Sequence, residues 1–130
     1  MRILIIEDSD AIRRMMETLV SARGHEVEGV PTGAKGIDAA IARTPDAVLL
    51  DLMLPGSYDG FEVCRRLRSA EATRAVPIIV ISAMDDETAK QTALEAGATA
   101  YYTKPFSPTA LLKELETVPR RDSAAKLPLK

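Results

Sequence analysis

The sequence predicts an α/β fold, a doubly wound sheet of five parallel strands with helices on both faces. Three observations predict it: short apolar runs recur along the chain, helical patterns separate them in strict alternation, and the links are short. Continuous rather than alternating apolar runs mark strands buried on both faces, as in a parallel sheet. Right-handed crossovers are close to obligatory between parallel neighbours, which places helices on both sides.

Each element has its own signature. Arg2 to Ile6 is a run with three isoleucines, read as a buried first strand, and it stops at Glu7-Asp8-Ser9-Asp10. Ile12, Met15, Met16, Leu19 and Val20 then recur at helical spacing, with Ser9 or Asp10 as N-cap and Gly24 just past the end. His25 to Val30 alternates Glu26 and Glu28 against Val27, which suits a strand nearer an edge. Pro31-Thr32-Gly33 introduces an Ala-rich helix from Ala34 to Arg43 with Ile37 and Ile41 as its stripe, and Pro45-Asp46 closes it.

Ala47-Val48-Leu49-Leu50 leads into Asp51, and Pro55-Gly56 ends the stretch. Asp59 and Glu62 form a capping-box pattern for a helix carrying Phe61, Cys64 and Leu67 on one face. Val76 to Ser82 is another apolar strand, with Pro77 tolerable only at its start. Asp85 or Asp86 caps a helix that Gly97 ends, and Thr99 to Thr103 is the fifth strand. Ser107-Pro108 opens a last helix through Leu111, Leu112, Leu115 and Val118. Residues 119–130 have no apolar period and read as a flexible tail or linker stub, leaving 1–118 as the domain.

Composition sets bounds. At 130 residues, 46% apolar and 28% charged, the chain suits one soluble domain. A net charge of −2 gives no general basic surface for nucleic acid. A single cysteine, Cys64, excludes an internal disulfide and fits a reducing compartment. Ile3 to Ile6 is too short for a signal segment or a membrane span. The expectation is a cytoplasmic protein without membrane contact.

In an open doubly wound sheet, ligands bind outside the carboxyl ends of the strands. Glu7-Asp8, Asp51, Ser82 and Thr103-Lys104 fall at those ends. Three carboxylates in close contact need a cation to stay ionised, and hard oxygen ligands suit Mg²⁺, with Mn²⁺ as an alternative. A divalent ion beside a carboxylate and a lysine describes a site for phosphoryl transfer.

The motifs Glu7-Asp8-Ser9, Asp51-Leu52-Met53-Leu54-Pro55-Gly56, Ser82-Ala83 and Lys104-Pro105-Phe106 occur in that order. The chain thereby resembles the receiver domain of two-component response regulators, of the chemotaxis type, over about residues 1–118. That resemblance implies a flavodoxin-like sheet of strand order 2-1-3-4-5. It implies that Asp51 accepts a phosphoryl group from a sensor histidine kinase or phosphotransfer protein, forming an aspartyl phosphate. Asp8 directly, Glu7 through water, Asp51 and the backbone carbonyl of Met53 would hold Mg²⁺. Lys104 and Ser82 would each meet a phosphoryl oxygen, and the Lys104–Pro105 bond would be cis. The implied switch runs from Ser82 to an inward-turning Tyr102. It alters a face of the fourth helix, fifth strand and fifth helix that binds a downstream protein or a second copy. No enzymatic activity is implied beyond self-catalysed phosphoryl transfer and autodephosphorylation. One departure is visible: Pro55 to Gly60 is one residue longer than receivers commonly have, which bears on loop shape and docking there.

Other readings fit these residues less well. A pseudo-receiver, a constitutive protein-interaction module, would be favoured by loss of an acidic residue, Ser82 or Lys104, and none is lost. Haloacid-dehalogenase-type hydrolases carry a second aspartate where Met53 stands, and a flavin carrier would want a Ser/Thr/Gly-rich loop where Glu7-Asp8 stands. His25 lies at the wrong end of its strand to join the site. Cys64 and the Met15-Met16 pair read as core, Tyr58 and Tyr101 as surface or packing, and Arg65-Arg66, Arg68 and Arg120-Arg121 as solvated faces or tail.

Overall fold

The apolar runs pair side by side as one parallel sheet in a computed structural model that describes residues 1–117. The elements are β1 (Arg2–Ile6), α1 (Asp10–Ser21), β2 (Glu26–Val30), α2 (Gly33–Ala42), β3 (Ala47–Leu50), α3 (Gly60–Ser69), β4 (Ile78–Ser82), α4 (Glu87–Ala96), β5 (Ala100–Thr103) and α5 (Pro108–Thr117). The sheet order is β2-β1-β3-β4-β5, as expected. Val118 and the tail at 119–130 lie outside the described residues.

The central strands are apolar throughout because both of their faces are covered. Leu4, Ile6, Val48, Leu50, Ile78 and Val80 pack with Val63, Cys64, Leu67 and Ala93 on the α2–α3–α4 side. Ile3, Ile5, Leu49, Ile79 and Ile81 pack with Met16, Val20, Leu111 and Leu115 on the α1–α5 side. Burial of each such side chain contributes about 1.5–3 kcal/mol. The edge strands β2 and β5 contain no fully buried residue. The strand order reverses between β1 and β3, so a crevice opens outside their carboxyl ends.

Several local expectations are corrected. Met16 is buried but Met15 is 45% exposed, and Ile41 is 51% exposed while Ile37 packs against the core. The face α2 turns to the sheet is made of Gly33, Gly36 and Ala40. It approaches so closely that a Cβ on Gly36 would lie 2.3 Å from Ile6 Cδ1, leaving no room for a second isoleucine there. Asp59 caps α3 by accepting from the Glu62 amide, but the Glu62 carboxylate turns away to Arg65 and Arg66. Asp86 stands at the N-cap of α4 without a side-chain cap bond. Arg68 is not a solvated arginine. It donates to the carbonyls of Gly97, Arg74 and Val76 and to the Thr99 hydroxyl, tying α3 to the end of α4.

Candidate functional site

Asp51 directly follows β3 and is held by the sheet itself, its amide donating to the Ile6 carbonyl at 3.0 Å. Its side chain is buried, with Oδ1 accepting from the Met53 amide at 3.1 Å and Oδ2 meeting Lys104 Nζ at 3.3 Å. Glu7 ends β1 in the same way, its amide on the Val30 carbonyl at 3.0 Å. Both Glu7 oxygens are engaged: Oε2 accepts from the Ser9 amide at 3.1 Å and Oε1 from Lys104 Nζ at 2.8 Å. Asp8 is exposed, and one carboxylate oxygen each of Glu7, Asp8 and Asp51 lie within 4.8 Å of one another.

Ser82 closes β4, fully buried, with its hydroxyl oxygen accepting from the Met84 amide at 3.2 Å. Lys104 follows β5, and its amide donates to the Ser82 carbonyl at 2.8 Å. The Lys104–Pro105 bond is cis, as anticipated. The structure therefore gathers Glu7, Asp8, Asp51 and Lys104 in one cluster and ties Ser82 to it through the Lys104 backbone. Burial works against the Lys104 charge, but the hydrogen bond to Glu7 and the charges of Asp51 and Glu7 outweigh it and hold its pKa above the ordinary lysine value. It stays an ammonium throughout the physiological range.

The donor set fits a hard divalent cation. Three carboxylates facing one ammonium leave an excess of negative charge, and all the side-chain donors are oxygens. Glu7, with both oxygens occupied, suits a water-mediated role, whereas Asp8 faces solvent. The longer loop after Asp51 leaves this corner intact. Gly56 absorbs a turn at φ +89°, and Tyr58 tucks under the Arg66 guanidinium at 4.2 Å. Gly60 returns to the segment that follows β3, its amide donating to the Leu52 carbonyl at 2.9 Å.

Tyr102 does not meet the loop after β4. Its hydroxyl donates to Glu114 Oε1 of α5 at 2.8 Å, on the α1–α5 side of the sheet. The neighbouring Tyr101 makes the loop contact instead, donating to the Met84 carbonyl at 2.5 Å. Register explains the exchange. Val80 and Ser82 pair with Tyr101 and Thr103, so Tyr101 shares the α2–α3–α4 face while Tyr102 points the opposite way. Burial raises the Tyr101 pKa, the Ser82 hydroxyl counters it, and the charges of Asp86, Asp85 and Asp51 add to the rise. His25 lies at the far end of its strand beside the Met1 amine and Glu116, as expected.

Comparison with known proteins follows the same lines. The family model described as response regulator receiver domain matches residues 3–116. The transcriptional regulatory protein AfsQ1 of Streptomyces coelicolor is 40% identical over 119 residues, covering 92% of this chain and 51% of that protein. The chain thus spans about half the length of such curated relatives. Among solved structures, Vibrio cholerae chemotaxis protein CheY4 superposes with a TM-score of 0.84 at 30% identity, covering 90% of this chain and 97% of that one. The receiver domain of a Pseudomonas aeruginosa sensor histidine kinase, solved with a magnesium ion coordinated in its active-site cleft, superposes with a TM-score of 0.83 at 31% identity, covering 90% and 95%.

Proposed function

The chain belongs to the response regulator receiver domain family, and from that premise we propose that it is a phospho-acceptor of a two-component relay with Asp51 as nucleophile. The observation that carries the reading is the convergence of Glu7, Asp8 and Asp51 with Lys104 bridging Glu7 and Asp51. A carboxylate oxygen of Asp51 attacks the phosphorus of a phosphohistidine. The new O–P bond forms as the P–N bond breaks, and the departing imidazole takes a proton from solvent. Lys104, already poised between two carboxylates, neutralises one phosphoryl oxygen, and the Ser82 hydroxyl donates to another. Asp8, Asp51 and the Met53 carbonyl, with Glu7 through water, would hold Mg²⁺ or Mn²⁺, which would supply positive charge beside the transferring group.

The donor is a sensor histidine kinase or phosphotransfer protein. An apolar cleft of about 460 Å³ beside Lys104, lined by Ile12, Met15, Pro105, Phe106 and Pro108, is the surface next to the nucleophile that such a donor would cover. The signal leaves through the α4–β5–α5 face to a downstream protein or a second copy, by a shift between two conformational populations. Tyr101, bound to the loop after Ser82, is the aromatic assigned to that shift in place of Tyr102. The reading includes no enzymatic activity beyond phosphoryl transfer onto and off Asp51. It also includes no direct nucleic-acid contact, given a net charge of −2. A cytoplasmic setting is part of the proposal; among the described residues no helix is long and apolar enough to cross a membrane. The pseudo-receiver alternative finds no support, because every residue the chemistry needs is present.

The test is intact mass after acetyl phosphate treatment, with Mg²⁺ or with chelator, on wild type and Asp51→Asn. One added phosphoryl group that requires Mg²⁺ and disappears in the variant is the expected result. Addition that persists in Asp51→Asn would overturn the assignment of the nucleophile.

A further inference from the structure

Behind the acidic loop lies an arginine with no place in the chemistry so far. Arg13 Nη1 donates to the Glu7 carbonyl at 2.8 Å, and Nη2 reaches Asp10 Oδ1 at 2.5 Å. One guanidinium therefore grips both ends of the Glu7–Asp10 turn, the segment on which Asp8 is carried. The side chain is only 15% exposed. It lies along β2 over Gly29, where an added Cβ would fall 3.1 Å from Arg13 Cδ and 2.0 Å from Glu17 Oε2. Glycine at that point is what leaves the trough in which Arg13 and Glu17 rest.

We propose that Arg13 is a positioning residue for metal binding: by holding the Glu7 carbonyl and Asp10 together it fixes the turn that presents Asp8 toward Asp51. The inference rests on the Mg²⁺ site of the function proposed above. A planar fork holds two such acceptors on separate nitrogens in a fixed geometry, whereas a lysine ammonium is a single point of contact on a flexible stem. The sign of the effect separates this role from a mere charge. A cation beside an acidic pocket repels a divalent ion, so removing a bystander arginine would tighten Mg²⁺ binding. Removing a positioning arginine loosens it, because the liganding turn loses its support. Residues behind metal ligands typically govern about 10–100-fold in affinity.

The experiment is calorimetric titration of the full chain with Mg²⁺ alone, with thermal melts in chelator to register folding. Arg13→Ala is expected to weaken Mg²⁺ binding about tenfold, with Arg13→Lys in between. Gly29→Ala keeps the arginine's charge, pushes Glu17 aside and shifts the arginine stem by a few tenths of an ångström, and is expected to weaken binding less than Arg13→Ala does. Amide exchange at Asp8, Ser9 and Asp10 should quicken in all three. A folded Arg13→Ala protein that binds Mg²⁺ as tightly as wild type, or more tightly, would overturn the proposal. If Arg13→Ala does not fold, unchanged binding in both Arg13→Lys and Gly29→Ala overturns it equally. Wild type that binds no Mg²⁺ would sink the parent reading and this one together, an outcome distinct from a variant that matches a binding wild type.

Discussion

Replacing Asp8 by asparagine sets the needs of folding against those of the site. In the folded chain one oxygen each of Glu7, Asp8 and Asp51 lie within 4.8 Å of one another. Among the described residues the one ammonium in contact with them, Lys104, is already divided between Glu7 and Asp51. Two unit charges at that spacing repel by about 3 kcal/mol at an effective dielectric near 20 and by about 1 kcal/mol in bulk water. Asp8 is exposed, so the lower figure applies, and the pull of Lys104 offsets part of it. Asparagine has nearly the same shape, so packing is preserved. The variant should be more stable than wild type in chelator by about 1 kcal/mol, seen as a urea midpoint raised by roughly 0.5 M with an unchanged slope. Adding Mg²⁺ should reverse the order. At ten times its dissociation constant the ion stabilises wild type by about 1.4 kcal/mol, while the variant, lacking a ligand, gains little. A variant less stable than wild type in chelator would refute the charge argument, and one that rises with Mg²⁺ as wild type does would refute the role of Asp8 as a ligand.

Gly60 heads α3, where helix propensity alone predicts that Gly60→Ala gains up to about 1 kcal/mol. The structure predicts a loss of roughly 1–3 kcal/mol, since the new Cβ would lie 2.4 Å from Leu52 Cα and 2.5 Å from the Asp51 carbonyl oxygen, both backbone atoms. Urea melts in chelator decide by sign, and a stabilised variant would remove the contact from the account. Burial raises the Cys64 pKa from 9.0 to about 11, against the opposing charges of Arg68 and Arg65. Below both values the native thiol then holds about one-hundredth of the thiolate of an unperturbed one. Iodoacetamide labelling at pH 8 should be at least about a hundredfold slower in the folded chain than in urea, and should rise with pH through the alkaline range; fast native labelling would contradict its burial.

The strands were legible because a strand buried on both faces has only one way to look, a continuous apolar run. The site was legible because, in this architecture, whatever stands at the end of such a run or just past it arrives at a common edge. Glu7, Asp8, Asp51, Ser82 and Lys104 could be placed by that rule alone. Helix faces were harder. Met15 against Met16, and Ile37 against Ile41, differ by one step or one turn, and in α2 the choice depended on how closely Gly36 lets the helix approach Ile6. Arg68 was illegible in local sequence because its acceptors at Arg74, Val76, Gly97 and Thr99 come together only when α3 and the end of α4 are neighbours. The two tyrosines of β5 were hard to tell apart for a different reason. Which of two adjacent tyrosines faces the site depends on register with β4, and the pairing of Ser82 with Thr103 settles it. Matching parity back from Ser82 would have found Tyr101.

That register also bears on how a signal would leave the site. Met84 is held from two sides, its amide by the Ser82 hydroxyl oxygen and its carbonyl by the Tyr101 hydroxyl. A hydroxyl can accept one hydrogen bond and donate another at the same time. Ser82 could therefore give its proton to a phosphoryl oxygen on Asp51 without releasing Met84. Any movement of Ser82 toward Asp51 would then carry Met84 with it, and Tyr101 after Met84. Tyr102 sits outside this linkage, tethered to Glu114 of α5 on the opposite face. The two tyrosines thus give β5 one tether to the loop after β4 and one to α5. Under the proposed switch, a displacement starting at Ser82 would reach β5 through Met84 and Tyr101, while the bond from Tyr102 to Glu114 would pass it on to α5.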